Sequence, residues 1–388
     1  NIGYGNKEIA DAVYGDILKG NNLTRASKTE LEAAELITSL IDSADMVKFA
    51  KHGSTVTTAA VKLARAFTGK KYIAIPRQHP FFSFDDWFIG TTAVKKGTLQ
   101  STSDFTLRFN YNDLESLEFL FENYPNQIAA VILEPATSVG PCKCKNENSK
   151  FCFNCPSNQD NFLKKVRELT IKNDSLMILD EMITGFRWHL KGAQYYYGVE
   201  PDLSTFGKAM ANGFAVAALT GKRDIMQLGG IKKNGQERVF LTSTTHGAEM
   251  SSLRAFIKTI EIMKRESVIE HFWNYGRELM SEFNKISEQF QLSENIKMDG
   301  YECSPNINIT DFNNEQKLSC RTLFLQEMIN NKIIMPYVAL SYSHKKEELE
   351  KTIDGLKKTF TIMIRAKEKG MKYFLKSEII KPVFRTFN

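Results

Sequence analysis

Short apolar runs alternate with helix-like segments along the chain as far as Met250. The runs have the length and composition of strands buried on both faces of a sheet, and they are Asp45–Ala50, Tyr72–Ile75, Ile128–Leu133 and Leu176–Leu179. Between them, apolar residues recur at helical spacing in Ile9–Leu18, Thr29–Leu40, Val56–Phe67 and Phe162–Lys172. This alternation predicts an α/β fold with a mostly parallel sheet flanked by helices on both faces.

The pattern changes after Met250, where longer helical segments replace the short apolar runs. The elements predicted there are a strand at Asn306–Thr310 and helices at Ser251–Arg265, Glu270–Gln291, Glu315–Asn330 and Lys345–Lys367. Long helices with little strand favour a second, smaller α+β domain.

Charged residues stand at the ends of two predicted strands. Asp180 and Glu181 directly follow Leu176–Leu179, and Lys208 follows the segment Asp202–Phe206. Open α/β sheets bind ligands at the carboxyl ends of their strands. An acid and a lysine there fit pyridoxal phosphate chemistry, in which the lysine forms a Schiff base and the acid holds a proton on the pyridine nitrogen. Acids at strand ends are also common in α/β proteins without this cofactor, so the spacing alone leaves both interpretations open.

The composition is ordinary for a soluble globular enzyme. Of the 388 residues, 42% are hydrophobic and 25% are charged, and the formal net charge is +6. Basic residues are interleaved with acids and form no dense block, so we expect no nucleic-acid partner. No apolar run reaches membrane-spanning length, and the amino end does not resemble a signal peptide. We therefore expect no membrane association and a cytoplasmic location.

Four of the six cysteines lie in one short segment, as a CxC pair and a CxxC pair separated by seven residues. These residues are Cys142, Cys144, Cys152 and Cys155. Two closely spaced pairs can supply the four thiolates of a tetrahedral structural zinc site. The alternatives are an iron–sulfur cluster, free thiols or a disulfide pair, and the missing signal peptide disfavours disulfides.

Two strings in the middle of the chain, LDEMITGFR and PDLSTFGKAMANG, resemble a known family signature. They resemble the core of class III (fold-type I) pyridoxal-phosphate-dependent aminotransferases, in the branch of glutamate-1-semialdehyde 2,1-aminomutase. The resemblance implies that Lys208 forms the Schiff base and moves a proton, and that Asp180 pairs with the ring nitrogen. It also implies that Met182 packs under the ring, whereas Glu181 and Arg187 are expected to pair with nearby structure.

The segment KHGSTVTTAAVKLARAFTGKKYIAI resembles the stretch with which this family binds the cofactor phosphate. Gly53 and Ser54 occupy the phosphate-binding positions. A turn of small residues into a helix N-terminus also offers free N–H groups and a positive dipole end. The chain departs from the family at Lys51-His52 and Thr55-Val56.

The loop Pro76–Gly90 follows the next predicted strand, where the family places an aromatic residue that stacks on the ring. Phe81 is the preferred candidate for this contact and Phe82 the second. His79 lies on the same loop and is a candidate substrate contact. Alternatively, both phenylalanines fill the hydrophobic core and do not contact the ring.

The segment STTHGAE, Ser243–Glu249, stands where the family has a threonine that reaches the phosphate bound to the other subunit. Thr244 matches that threonine, so the resemblance implies a homodimer with shared active sites. His246 and Glu249 depart from the family pattern and are candidate contacts for a polar substrate.

The resemblance divides the chain into three parts. Residues 1–28 form an N-terminal arm or part of the small domain, residues 29–250 form the large cofactor-binding domain with a cysteine-rich loop at 140–157, and residues 251–388 form a linking helix and the small domain. The opening NIGYGNKEIADAV resembles a family segment that further residues normally precede, so we expect upstream sequence.

The implied activity is transfer of an amino group from an amino donor, such as glutamate, to an aldehyde or keto acceptor. The segment Met335–His344 lacks the glutamate of the aminomutase proper. We therefore favour a transaminase over the alternative, a 2,1-aminomutase. A non-catalytic fold-type I binding protein ranks last, because Lys208 is present.

Overall fold

The computed structural model describes residues 1–142, 161–232, 235–242, 245–312 and 315–386. Within these ranges the chain forms two compact units. The first is Asn1–Glu266, to which Thr386 also belongs, and the second is Ser267–Arg385.

The first unit is built on a seven-stranded sheet with the strand order β1-β7-β6-β5-β4-β2-β3. The strands are β1 (Met46–Ala50), β2 (Tyr72–Pro76), β3 (Thr106–Phe109), β4 (Ile128–Leu133), β5 (Leu176–Asp180), β6 (Leu203–Phe206) and β7 (Ala217–Gly221). Strand β7 runs antiparallel to β6 and to β1, and the remaining pairs are parallel. The predicted fold class, with its mostly parallel sheet, is confirmed.

Helices connect these strands. The helices described in this unit are α1 (Lys7–Ile17), α2 (Lys28–Leu40), α3 (Gly53–Thr68), α4 (Asp86–Ile89), α5 (Gln100–Ser103), α6 (Leu114–Asn123), α7 (Phe162–Lys172), α8 (Gly192–Tyr197), α9 (Arg223–Met226) and α10 (Met250–Arg265). Short 3-10 helices add Lys208–Ala211 and Gln227–Gly229. Helix α10 belongs to this unit, whereas the sequence predicts it as part of the C-terminal region.

The central strands are apolar because both faces of the sheet are covered. Every residue of β4 and β5 is buried. Ionisable residues stand at the ends of three strands. Glu134 follows β4, Asp180 is the last residue of β5, and Lys208 follows β6 after one glycine. In the parallel register, Leu133 pairs with Leu179, so Glu134 comes beside Asp180. Three ionisable residues therefore lie at the carboxyl ends of three neighbouring strands.

Helix α3 begins at Gly53, earlier than the start at Val56 that the apolar periodicity predicts. Its N-cap residue, His52, provides no side-chain hydrogen bond to the first turn. The helix ends at Gly69, whose left-handed backbone (φ 68°) suits glycine. The first turn therefore presents small residues with backbone N–H groups that lack an intrahelical acceptor.

The second unit combines long helices with one hairpin. Its described elements are α11 (Val268–Gln289), β8 (Ile296–Tyr301), β9 (Ser304–Ile309), α12 (Ser319–Asn330) and α13 (Lys346–Lys369). Strands β8 and β9 pair antiparallel. The rings of Phe283, Phe324 and Phe360 lie 5.7–6.4 Å from one another and join three helices in one core. This composition matches the predicted smaller α+β domain.

Among the described helices of the two units, none is both long and apolar enough to cross a lipid bilayer.

Candidate active site

A cavity of about 470 Å³ lies at the ends of β4, β5 and β6. Its wall is made from the start of α3, the loop after β2, the strand ends and the loop before β7. The residues singled out from the sequence that line it are Gly53, Ser54, Phe81, Phe82, Asp180, Met182 and Lys208. The fold thus assembles residues that are far apart in the chain into one concave site.

Asp180 is enclosed at the end of β5, with only 2% of its surface exposed. The Met182 backbone N–H and the Thr205 hydroxyl both donate to Asp180 Oδ1, at 3.0 and 3.2 Å. Burial raises the pKa of Asp180 to about 6, and these hydrogen bonds and the positive charge of Lys208 oppose the rise. Asp180 Oδ2 accepts no hydrogen bond from a described residue, so it can accept one from a ligand.

Lys208 has a left-handed backbone conformation, with φ at 45°. A non-glycine residue in this region is strained, and such strain is characteristic of functional sites. The side chain lines the cavity, and its amine makes no hydrogen bond or ion pair within the described part of the chain. The amine is therefore available to react with a ligand.

The loop after Lys208 is attached to the first residues of the chain. Asn212 Oδ1 accepts a hydrogen bond from the Ile2 backbone N–H at 2.9 Å, and Asn212 Nδ2 donates to the Gly3 carbonyl oxygen at 2.9 Å. Beyond Asn212, residues 213–216 line the cavity on the way to β7. The N-terminal segment thereby helps to position one wall of the site.

The N-terminus of α3 forms the candidate anion site. Gly53 and Ser54 begin this 16-residue helix, and both line the cavity. Backbone N–H groups and the positive end of the helix dipole attract a phosphate at this position.

The loop that carries the two candidate aromatic residues is fastened to α3. The Thr57 hydroxyl donates to the Phe82 carbonyl oxygen at 2.8 Å, and the Phe84 backbone N–H donates to Ser54 Oγ at 3.1 Å. Phe81 is 42% exposed, whereas Phe82 is only 2% exposed and belongs to the hydrophobic core. Both line the cavity, but Phe81 has the larger accessible surface for a flat ligand.

Met182 packs between two glycines. A Cβ atom on Gly53 would lie 3.1 Å from Met182 Sδ, and one on Gly207 would lie 2.6 Å from it. Glycine at both positions therefore allows the thioether to lie against the backbone. The result is an apolar wall of the cavity beside Asp180.

Glu134 also lines the cavity, although it was not selected from the sequence. It is 3% exposed. Burial, together with the negative charge of Asp180, raises the pKa of Glu134 well above its usual range. In the sequence, Glu134 is recognisable only as part of a Glu-Pro pair after an apolar run. Its proximity to Asp180 depends on the pairing of β4 with β5.

His79 lies behind Glu134 and is not part of the cavity wall. Its Nδ1 accepts a hydrogen bond from the Glu134 backbone N–H at 3.0 Å, and its ring contacts those of Phe82 and Tyr111. Burial lowers the pKa of His79 to about 3, so the ring is neutral. Its contact with substrate stays a prediction, and this position favours a supporting role for the imidazole.

Lys51 connects the cavity to His246 and Glu249. Lys51 lines the cavity, and its Nζ lies 2.9 Å from Glu249 Oε2. The other oxygen of Glu249 lies 3.2 Å from His246 Nδ1. The two predicted substrate contacts therefore contact each other, and Glu249 reaches the cavity wall through Lys51.

Glu181 and Arg187 have structural partners, as the sequence analysis expects. Glu181 accepts hydrogen bonds from the Thr184 hydroxyl, the Ala193 and Gln194 backbone N–H groups and the Gln194 side chain, at 2.8–3.2 Å. Arg187 donates to Asn1 Oδ1 at 2.8 Å. Glu181 thus ties the end of β5 to the start of α8.

Four of the predicted site residues lie outside the described residues, namely Thr244, Cys144, Cys152 and Cys155. Cys142 is described and buried. Within the described ranges no group of three or more histidine, cysteine or acidic side chains could hold a metal ion. The zinc site stays a prediction.

Comparisons with known proteins assign this chain to a family. The family profile described as Aminotransferase class-III matches residues 1–360, so the chain belongs to the class III aminotransferases. It is 32% identical over 362 residues to the 3-aminobutyryl-CoA aminotransferase of Cloacimonas acidaminovorans, an alignment that covers 92% of this chain and 81% of the relative. It is 29% identical over 380 residues to the glutamate-1-semialdehyde 2,1-aminomutase of Francisella philomiragia, covering 92% and 83% of the two chains.

A solved structure shares the fold. The FumI protein of Sphingopyxis sp. MTA144, determined in its PLP internal aldimine form, superimposes with a TM-score of 0.79 at 24% identity and covers 94% of this chain and 82% of that one. Together with the family match, this confirms the resemblance drawn from the two central strings. The protein is a pyridoxal-phosphate-dependent enzyme, and its relatives include both aminotransferases and aminomutases.

Proposed function

We propose that the protein is a transaminase whose reaction centre is the cavity at the ends of β4, β5 and β6. The observation that carries the proposal is that the Lys208 amine, the Asp180 carboxylate and the N-terminus of α3 line one cavity. Pyridoxal phosphate needs an amine for its aldehyde, an anion for its ring nitrogen and a cradle for its phosphate.

The residues present fit this cofactor. Asp180 has one oxygen held by two hydrogen bonds, and the other accepts none from the described residues, so it can accept one from the protonated ring nitrogen. Gly53 and Ser54 would hold the phosphate at the start of α3. Met182 and the accessible ring of Phe81 would contact the pyridine ring.

When bound, pyridoxal phosphate supplies an electron sink for the charge that develops on the substrate carbon bearing the amino group. Lys208 would hold the cofactor until substrate enters, and its amine would then take the proton from that carbon. Asp180 would keep a negative charge next to the ring nitrogen through the reaction. The buried side chains of Phe82 and Met182 would exclude water from the reacting atoms.

For the substrates, we propose an amino acid such as glutamate as donor and an aldehyde or keto compound as acceptor. The similarity to a 3-aminobutyryl-CoA aminotransferase supports a transaminase reaction. The similarity to a glutamate-1-semialdehyde 2,1-aminomutase keeps an aminomutase as the second candidate. The missing glutamate in the segment Met335–His344 supports the first of these two.

The proposed assembly is a homodimer with shared active sites. It is supported by the resemblance of the segment Ser243–Glu249 to the family stretch that reaches the neighbouring subunit. In such a dimer, Thr244 of the partner subunit would bind the phosphate held by Gly53 and Ser54.

A half-reaction screen tests the proposal. The purified protein is loaded with cofactor, candidate amines are added one at a time, and the cofactor absorbance is followed. We expect at least one amino acid to convert the wild type and the exposed control Lys62→Ala, and none to convert Lys208→Ala. Conversion of the Lys208→Ala variant at the wild-type rate would contradict the assignment of the reacting amine.

Dependence on an external donor separates the two candidate activities. A transaminase forms product only when donor and acceptor are both supplied. An aminomutase isomerises a single substrate without an added donor, and that result would replace the proposed transaminase by the second candidate.

A further inference from the structure

Two buried carboxyl groups line the same cavity, and they differ in the hydrogen bonds that they accept. Asp180, at the end of β5, receives two hydrogen bonds on Oδ1. Glu134, in the neighbouring position after β4, accepts no hydrogen bond through its carboxyl group from any residue in the described ranges. Both are nearly inaccessible, at 2% and 3% exposure.

The difference in hydrogen bonding favours the negative charge on Asp180 over the negative charge on Glu134. Hydrogen bonds to a carboxylate stabilise its ionised form, whereas burial without them favours the protonated acid. Burial is the largest contribution at both residues, and the charge of Asp180 adds to the cost of ionising Glu134. The pKa of Glu134 is therefore held well above its usual range, which favours its protonated form.

Glu181, Lys208 and His79 are the other titratable neighbours of the pair. The charge of Glu181 opposes ionisation of Asp180, but it contributes less than either hydrogen bond to Asp180. Lys208 is the cation that acts on both acids, and it favours ionisation of either. His79, packed behind Glu134, is neutral because its burial lowers its pKa to about 3. Its Nδ1 instead accepts the Glu134 backbone N–H at 3.0 Å, which fixes the backbone from which the carboxyl group extends.

We propose that Glu134 is a neutral carboxylic acid that donates a hydrogen bond to an oxygen atom of the molecule bound in the cavity, while Asp180 carries the negative charge. The inference deepens the proposed function and rests on it. Two acids with opposite protonation states next to one reaction centre can serve two roles, one as a hydrogen-bond donor and one as an anion. The acceptor oxygen belongs either to the cofactor or to the substrate.

Three variants test the donor role. Glu134→Gln keeps a hydrogen-bond donor of similar shape, Glu134→Leu removes it, and Glu122→Gln on the exposed face of α6 is the matched control for the loss of an acid. Thermal unfolding is recorded for each variant, and Glu134→Gln keeps the test valid if the leucine variant does not fold.

The protonation state is measured directly by infrared spectroscopy, as differences between the wild type and each variant, recorded once with the cofactor and once without it. We expect the C=O stretching band of a protonated carboxylic acid at pH 7 in the wild type and in Glu122→Gln, and its loss in Glu134→Gln. Absence of this band from the wild type would overturn the proposal, whatever the activities of the variants are.

Binding measurements identify the acceptor. If it is a cofactor oxygen, Glu134→Leu raises the dissociation constant of pyridoxal phosphate about tenfold and shifts the pH dependence of its absorbance, and Glu134→Gln restores most of the affinity. If it is a substrate oxygen, cofactor binding is unchanged and the KM of the half-reaction rises about tenfold in Glu134→Leu. Wild-type values for both quantities in Glu134→Leu would overturn the donor role.

These results remain separable from those for the proposed function. A wild-type protein that binds no pyridoxal phosphate contradicts the transaminase proposal, and the infrared band still decides the protonation of Glu134. A wild-type protein that binds the cofactor and lacks the band contradicts only the inference on Glu134.

Discussion

The Thr205 hydroxyl donates a 3.2 Å hydrogen bond to Asp180 Oδ1 from the paired position on the neighbouring strand β6. Because this bond stabilises the charged form of the carboxyl group, it opposes the rise in the pKa of Asp180 that burial causes. The register of β5 and β6 thus places a hydroxyl group where it favours the negative charge on Asp180 at the proposed reaction centre.

Replacement of this hydroxyl should shift the pH profile of the enzyme. Thr205→Val keeps the shape of the side chain but removes the donor, which raises the pKa of Asp180 further. We expect the acid limb of kcat/KM to move up by about one pH unit, since a hydrogen bond to a charged group is worth about 1.5–3 kcal/mol. Thr259→Val is the control, because the Thr259 hydroxyl is buried without a partner among the described residues. A profile that coincides with the control would contradict the role of Thr205.

The raised pKa of Asp180 also predicts how stability depends on pH. A buried acid with a pKa of about 6, against an ordinary value of 3.8, binds its proton more tightly in the folded state. Its contribution to stability is therefore full at low pH and is lost as the pH rises from about 4 to about 6. In the cofactor-free protein, Asp180→Asn removes this loss. We expect the unfolding temperature of Asp180→Asn, relative to that of the wild type, to be higher at pH 7 than at pH 4.5. An equal difference at the two pH values would contradict the raised pKa of Asp180.

Replacing the carboxylate by an amide should have different effects at the two neighbouring acids Asp180 and Glu181. Asp180→Asn removes the charge beside the ring nitrogen, and we expect transaminase activity to fall about 10²–10³-fold. Glu181→Gln breaks a buried hydrogen-bond network, so we expect it to lower the free energy of unfolding by about 1–3 kcal/mol. Steady-state kinetics and denaturant unfolding of both variants check this. Equal losses of activity at matched stability would contradict the division of roles.

Gly53 and Met182 should behave as a coupled pair. Gly53→Ala places a Cβ 3.1 Å from Met182 Sδ, so the thioether must move within the cavity wall. We expect cofactor affinity to fall, and the addition of Met182→Ala to recover part of the loss in a double-mutant cycle. Gly15→Ala, on α1 with nothing within 4 Å of the new Cβ, is the matched control. Strictly additive effects of the two substitutions would contradict the packing described.

Shared active sites can be tested by complementation. Lys208→Ala and Thr244→Ala should each be inactive or nearly so as homodimers. In a mixed dimer one site receives both defects, whereas the other combines an intact Lys208 with an intact Thr244 of the partner subunit. Co-refolding equal amounts should therefore restore about a quarter of wild-type activity. A mixture that never exceeds the sum of its components would contradict sharing.

The sequence predicts the scaffold well where the pattern is strong. Helix α7 has the predicted bounds Phe162–Lys172, and β4 has the predicted bounds Ile128–Leu133. Helix α3 starts earlier than expected because Gly53 and Ser54 lie outside the apolar periodicity. Strand β7, which is rich in small residues and antiparallel to its neighbours, is not predicted from the sequence.

Contacts between strands bring residues to the site that the local sequence does not indicate. Glu134 directly follows the apolar strand β4, and Thr205 lies within the short strand β6. Nothing in the local sequence relates either residue to Asp180. Their roles depend on the neighbours of β5 in the sheet, β4 on one side and β6 on the other. The sequence shows His79 only as a polar residue on a loop. Its burial behind Glu134 arises from tertiary packing that no local pattern predicts.

The central claim is that Lys208 is the amine that binds pyridoxal phosphate. The most direct measurement is to load the protein with cofactor, reduce it with borohydride, digest it and locate the modified lysine by mass spectrometry. We expect a single reduced cofactor adduct on Lys208, and no adduct in Lys208→Ala prepared in the same way. An adduct on another lysine, or equal labelling of the Lys208→Ala variant, would contradict it.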